Sequence, residues 1–335
     1  MARPGRTRPA GPWRVALGAL ARMPSALGAA AVLVVLAGLS LLAPAYARYI
    51  AHTDPFESDV GATVVVDGHE VPVMQPNDNR LHLGLTPIGP SWRFGPVLFG
   101  ADAQGRDVAA RLLYGGRNSL LIAAAAAALC TLMAAAVGIC AGYFGGWVDT
   151  LLSRLMDVMW AIPVYLFAIS LSIVTVSQGL RFGPVRIRSD SLILPICIIA
   201  LVYVPYAARP IRGRVLSLAR ADFVLAARCL GVPPGRILIR DILPNVAGTL
   251  IVLAPLLTAL ALLAESALSF LSIGVQAPAA SWGTIIQDGQ GLIYTRPWVA
   301  VAPGIAIVLT VLALNVLGDG LRDALDVRET ARRRA

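Results

Sequence analysis

Long apolar runs separated by short polar segments dominate the chain. Six stretches meet or approach the roughly 20 mostly apolar residues that a membrane-crossing helix needs. They fall at 26–45, 120–141, 158–176, 192–208, 246–270 and 299–317. The second holds six consecutive alanines at 123–128, and small residues of this kind let helix backbones approach closely in lipid. The fourth is shorter and carries Pro195 and Pro205. A spanning helix tolerates proline where neighbours satisfy the freed carbonyls. The pattern predicts an all-α integral membrane protein with six transmembrane helices. Its segments are a tail at 1–25, a first helix at 26–48, a loop at 49–117, a helical domain at 118–320 containing a polar loop at 209–245, and a tail at 321–335.

Composition sharpens this picture. Hydrophobic residues make up 57% of the 335 positions and charged residues 14%, with a mean hydropathy of +0.72. Soluble domains carry about 45–50% apolar and about 25% charged residues, so a cytosolic globule and a disordered chain are both excluded. Net charge is +9, and all 28 basic residues are Arg. Without Lys there is no Walker A loop to reach the phosphates of ATP, and no Schiff-base amine. The Arg residues flank apolar runs and do not form a basic face interleaved with aromatics, which argues against nucleic acid. None of the four Cys forms C-x-x-C, so neither a zinc site nor a disulfide framework is indicated. No Ser-His-Asp, Cys-His or paired-carboxylate constellation emerges. The chain is therefore expected to be no enzyme, with no catalytic residue, cofactor or metal of its own.

Arginine placement also sets orientation. Eighteen of the 28 fall in the N-terminal tail, the short segment around Arg154, the 209–245 loop and the C-terminal tail. Both termini are thus expected on the inner side of the membrane, with 49–117 outside. Residues 1–47 also resemble a signal peptide ending in Ala45-Tyr46-Ala47, but the apolar run exceeds the usual ~7–15 residues.

In the outer loop, 63–71 reads as a small β-hairpin turning at Asp67-Gly68. A lone hairpin is marginal in water, so it is expected to lean on another surface. His52, His69 and His82 share this loop with Asp54, Glu70 and Asp78, in no tight ligand spacing. Asp102 is placed to close a turn through its side chain, with Gly105 in the left-handed region. Asp102 and Arg106 are candidate gating or structural residues. An amphipathic stretch at 108–114 is expected to lie at the membrane interface.

The 209–245 loop is the longest inside segment. Asp222 suits an N-cap. Phe223, Ala226, Ala227 and Leu230 follow at i, i+3, i+4 and i+7, one helical face. Gly231 stands where a C′ residue with positive φ is expected, Pro233-Pro234 breaks the chain, and a second short helix runs to Leu243-Pro244. An amphipathic helix with no core of its own docks into a partner's groove or lies on lipid headgroups; both need the same pattern.

This loop resembles the cytosolic loop of binding-protein-dependent ABC importer permeases, marked by Glu-Ala-Ala, a Gly and a terminal Leu-Pro. Ala226-Ala227, Gly231 and Ile242-Leu243-Pro244-Asn245 match, while Leu225 stands in place of the Glu. The segments at 100–108, 111–115, 142–149, 265–276, 281–283 and 315–323 are similar, in order, to the C-type subunits of dipeptide, oligopeptide and nickel importers. The outer insertion at 52–98 is longer than that pattern. The resemblance implies half of a translocation pathway for peptides or a related small solute, in a bacterial plasma (inner) membrane. It implies a heterodimer with a second permease subunit, two ATPase subunits that bind the ATP, and an extracytoplasmic substrate-binding protein. The ATPase-coupling residues it implies are Asp222, Phe223, Ala226, Ala227, Leu230, Gly231, Leu243 and Pro244.

Two residues complete the sequence reading. Glu265 is a carboxylate within an apolar run, expected near the outer, hydrated end of its span, with a gating or structural role. Arg154 and Asp157, three apart, are expected to pair locally. The alternative function is an ATP-independent secondary transporter or channel subunit. That would call for midplane carboxylates or a repeated half, and neither is present.

Overall fold

The computed structural model describes residues 18–333 apart from 67, 78–83, 179, 183–184 and 189–190. Arg3, Arg6, Arg8, Arg14, Asp67, Asp78, His82 and Arg334 lie outside the described residues. Nine helices organise the rest: α1 (Pro24–Leu41), α2 (Val108–Phe144), α3 (Gly146–Ala161), α4 (Val164–Gln178), α5 (Ile193–Ala219), α6 (Asp222–Cys229), α7 (Leu243–Phe270), α8 (Trp282–Gly289) and α9 (Trp298–Arg333). Shorter turns of helix join them at Ala43–Tyr46, Ala47–Ala51, Pro234–Ile237 and Leu238–Ile242.

Among the described residues, five helical segments are long and apolar enough to cross a membrane, in α1, α2, α5, Pro234–Phe270 and α9. The sixth apolar run departs from the sequence expectation. Instead of one straight helix over 158–176, α3 and α4 meet at a 90° bend. The cause is Pro163. It disfavours helical geometry at the preceding residue, and Ile162 is extended, with φ −90° and ψ 130°.

α2 has 37 residues. At 1.5 Å per residue it is about 55 Å long, well beyond the ~30 Å apolar thickness of a bilayer. The 108–114 stretch, expected to lie at the interface, is therefore the first two turns of this long helix, with Val108, Ala109, Ala110 and Arg111 buried. α5 likewise runs past the apolar stretch that predicted it, through Pro205 and Pro210 to Ala219, and takes up the first part of the inside loop.

Small residues hold α2 against α5. Ala123, Ala126, Ala134, Ala207 and Ala208 are fully buried. A Cβ on Gly138 would stand 2.8 Å from the Ala208 carbonyl oxygen and from Ile211 Cγ2. Contact this close requires glycine, and close backbone approach is how helices associate where lipid removes the hydrophobic drive.

In the outer loop, β1 (Thr63–Val66) pairs antiparallel with β2 (His69–Pro72), Val66 opposite His69, and Gly68 has φ +81°. A second ribbon joins β3 (Met74–Pro76) to β4 (Leu85–Pro87). Val73, Ile88, Val97 and Ala101 form a buried cluster against which Val64, Val66 and Val71 pack. The hairpin thus leans on its own loop. A third ribbon, β5 (Leu180–Phe182) with β6 (Val185–Ile187), connects α4 to α5.

Candidate functional site

The 220–245 loop is anchored from within and apolar on its outer side. Ala221, extended at φ −73° and ψ 147°, occupies the N-cap of α6 and gives no side-chain cap. Asp222 is therefore not the cap expected from sequence but the first helical residue. Its carboxylate sits in the first turn, where the helix dipole favours negative charge. At the other end, the Gly231 N–H donates to the Arg228 carbonyl at 2.9 Å and the Val232 N–H to the Ala227 carbonyl at 3.1 Å. These two bonds form a Schellman motif with Gly231 at C′, φ +73°.

Beyond Pro233, the helical turn Pro234–Ile237 passes into a wider π turn, Leu238–Ile242, and directly into α7. The second short helix thus does not end at Pro244. Proline lacks the N–H that an interior α turn uses, but in the first turn of α7 that donor is not needed. The Asn245 side-chain amide donates to the Asp241 carbonyl at 2.7 Å.

The loop's inward residues are Val224, Ile237, Ile242 and Val246, all fully buried in the main apolar core. The Arg228 guanidinium stacks 4.7 Å from the Tyr143 ring of α2. The opposite side is open. Leu230 is 82% exposed and Ile239 71%, with Phe223, Leu225 and Leu243 also exposed. Ala226 and Pro244 are exposed and Ala227 is half-buried. The structure thus brings Phe223, Ala226 and Leu230 onto one unpartnered apolar surface and turns Ala227 partly inward.

The ends of α3 and α5 near this loop are tied by ions. Asp149 receives two hydrogen bonds from Arg212, Nε to Oδ1 at 2.5 Å and Nη2 to Oδ2 at 2.6 Å. Asp157 pairs with Arg209 at 2.9 Å, whose guanidinium also lies 4.7 Å from the Trp160 ring. The expected Arg154–Asp157 pair is thus replaced by a partner 52 residues away, brought near by the packing of α3 on α5.

Asp102 and Arg106 come together as expected of a side-chain-closed turn. Asp102 Oδ1 accepts the Gln104 and Arg106 N–H groups at 2.9 and 3.1 Å, and Oδ2 accepts Arg106 Nε at 2.7 Å. Gly105 has φ +78°. Three residues missed by sequence reasoning lie here, Arg111 and Asp288 within this network and Asp107 beside it. Asp288 Oδ2, on α8, receives Arg106 Nη2 at 2.9 Å and Arg111 Nη2 at 2.7 Å. Asp107 caps α2 by accepting the Ala110 N–H at 2.7 Å. Burial pushes its carboxyl above the ordinary pKa, against the opposing pull of the Ala110, Val97 and Ala109 N–H groups.

Glu265 differs most from expectation. It is not hydrated but fully buried, beside Ser266 and with its Oε1 accepting Ser269 Oγ–H at 2.7 Å.

Comparison with known proteins gives this arrangement its context. Residues 134–330 match the family model described as "Binding-protein-dependent transport system inner membrane component". The chain is 40% identical over 228 residues to the dipeptide transport system permease protein DppC of Alkalihalophilus pseudofirmus, covering 68% of this chain and 71% of that protein. It is 38% identical over 256 residues to a putative peptide permease protein of Brucella ovis, covering 76% and 79%. Its fold is similar to a chain of the MetNI methionine ABC transporter, solved in inward facing conformations, with a TM-score of 0.51 at 17% identity over 64% of this chain and 95% of that one. The chain therefore belongs to the binding-protein-dependent transport system inner membrane components, a family of integral membrane transport subunits rather than ATPases.

Proposed function

We propose that the chain forms half of the translocation pathway of an ATP-driven importer of peptides, and that the 220–245 loop couples it to ATPase subunits. The identity to peptide permeases supports the substrate class. The observation that carries the coupling role is the exposed apolar surface of Phe223, Ala226 and Leu230, fixed rigidly to the spanning helices by Val224, Ile237 and Ile242. An amphipathic face with no core of its own fits a groove on a partner. Asp222, Ala227, Gly231, Leu243 and Pro244 set the shape of that surface and are not themselves its anchors. The complete importer comprises this chain, a second permease subunit, two ATPase subunits and an extracytoplasmic substrate-binding protein. Both termini and the loop face the cytosol, and the 49–117 segment faces outside, a reading supported by the arginine distribution.

One experiment tests orientation and coupling together. In a background lacking the native cysteines, Leu230→Cys is treated with a membrane-impermeant maleimide. Intact cells should leave it unlabelled, inside-out vesicles stripped of ATPase subunits should label it, and re-adding those subunits should protect it. Labelling in intact cells overturns the orientation; labelling unaffected by the ATPase subunits overturns the coupling role.

A further inference from the structure

A tight turn at 91–98 joins the outer loop to the bundle and carries aromatic side chains outward. It is closed by its own backbone: the Ser91 N–H donates to the Val97 carbonyl at 3.1 Å and the Trp92 N–H to the Leu98 carbonyl at 3.4 Å. Asp107 Oδ2, at the start of α2, accepts the Val97 N–H at 2.7 Å. Trp92 and Val97 have positive φ, +55° and +50°. Bulky residues rarely adopt this geometry, and it persists only where the surroundings fix it. The turn is thus a rigid bracket that displays residues 92–94.

Two contacts set its height. Phe94 packs edge-on against Tyr46, with ring centroids 6.1 Å apart, and the Tyr46 hydroxyl donates to the Gly95 carbonyl at 3.0 Å. Trp92 packs edge-on against Trp298 at 4.9 Å. Both supporting rings stand at the outer ends of spanning helices. The 18 residues of α1 cover about 27 Å, and Ala43–Tyr46 adds one more turn, which matches the ~30 Å apolar thickness of a bilayer. Tyr46 therefore marks the outer edge of the hydrocarbon. Trp298 is the first residue of the span in α9, which packs along α1.

The displayed rings are open on their other sides. Phe94 is 78% exposed and Trp92 57%. Beneath them, Leu41 and Leu42 at the end of α1 and Ile305 on α9 are exposed too. Arg48, two residues beyond Tyr46, and Arg93, between the two displayed rings, are exposed at the same level. The Arg48 guanidinium lies 5.6 Å from the Tyr49 ring centroid. Indole rings favour the membrane interface, and guanidinium groups suit phosphate. Apolar rings flanked by arginine, held at the hydrocarbon edge, match a lipid surface in both chemistry and depth.

We propose that the 91–95 turn inserts Trp92 and Phe94 into the leaflet on its own side of the membrane, the outer one in the orientation given above, with Arg48 and Arg93 at the lipid phosphates, and so seats the outer loop on the bilayer. The proposal rests on α1 and α9 crossing the membrane and is independent of what is transported.

The test uses the full chain with its partner subunits in phosphatidylcholine nanodiscs, lacking native cysteines and carrying Phe94→Cys labelled with the fluorophore NBD. Phosphatidylcholine with a doxyl group at the fifth acyl carbon should quench the label at least twofold more than the same lipid with doxyl at the twelfth, and aqueous iodide should quench it weakly. Val34→Cys, exposed near the middle of α1, is the reference and should show the opposite doxyl preference. Strong iodide quenching without doxyl quenching overturns the proposal, since the turn then stands in water. Quenching by neither also overturns it, since another protein chain then covers the turn. Should the Phe94→Cys chain not assemble, the chain with its native residues 91–95 carries the test, in nanodiscs holding a phosphatidylcholine with a diazirine at the top of its acyl chain. Photo-adducts within 91–95 support the seat, and adducts confined to the spanning helices overturn it.

Discussion

Replacing Gly231 with Val asks how much the coupling surface depends on one backbone conformation. Gly231 has φ +73°, and a Cβ built there meets nothing within 4 Å. Any effect is therefore local and not a clash with the rest of the fold. If the backbone stays as it is, the side chain is strained in the left-handed region by about 1–2 kcal/mol, and β-branching adds to this. If the backbone relaxes to right-handed geometry, the bonds from Gly231 to Arg228 and from Val232 to Ala227 break. At a net ~0.5–1.5 kcal/mol each, that route costs a similar amount. Helix α6 would then run on to Pro233, keeping Leu230 on the face of Phe223 but redirecting the chain that must turn back into Pro234–Ile237. Both routes reduce the native loop by a factor of about 5–30. Gly231→Asn should stay near wild type, since Asn accepts this conformation. Gly235→Ala is the matched control, with open space and no positive φ. The assay is ATPase-subunit co-purification at limiting concentration, with peptide uptake alongside and membrane abundance as the reference. Val and Asn variants that both bind and transport like wild type would refute the reasoning.

Three further substitutions probe the framework that positions these sites. Gly138→Val should destabilise the α2–α5 contact by about 1–3 kcal/mol, because its Cβ meets the Ala208 carbonyl, which cannot swing aside as a side chain would. A lowered melting temperature of the detergent-purified complex checks it, and an unchanged one refutes the close approach. Asp288→Asn should cost about 1.5–3 kcal/mol by weakening charge-assisted bonds to both Arg106 and Arg111. Arg154→Ala should be neutral in the same melting assay, since Asp157 is held by Arg209.

What the sequence made legible was governed by local rules. Apolar run length located the helices, because lipid demands it wherever they pack. Gly231 was readable as a C′ residue because Pro233 follows and an amphipathic face precedes it. The bend at Pro163 was hidden by averaging: hydropathy over 158–176 does not register a proline that forces the residue before it out of helical geometry. Asp222 was displaced from its cap by the way the chain leaves α5, which no pattern within α6 encodes. The ion pairs failed differently. Spacing of three favoured Arg154 for Asp157, but the actual partner comes from another helix. The surroundings of Glu265 were least visible, since Ser119 of α2 meets Trp282 of α8 only through tertiary packing and isolated serines in an apolar run carry no periodic signal.

Leu225 shows how sequence and structure combine to a conclusion neither reaches alone. The sequence shows that the acid of the importer-loop pattern is replaced by an apolar residue. The structure shows that this side chain is 45% exposed, on the same short helix as exposed Phe223 and Leu230. A buried Leu would have meant repacking toward the core, but Val224 already fills that position at 0% exposure. The substitution therefore leaves an exposed apolar side chain on α6, on a different side of the helix from Phe223, with no charge at that position. On the proposed coupling role, a partner surface that covers Leu225 is expected to be apolar there, since an acidic or basic residue buried against it would lose water and gain no partner. The compensation for the missing acid is thus expected on the partner subunit and not elsewhere in this chain.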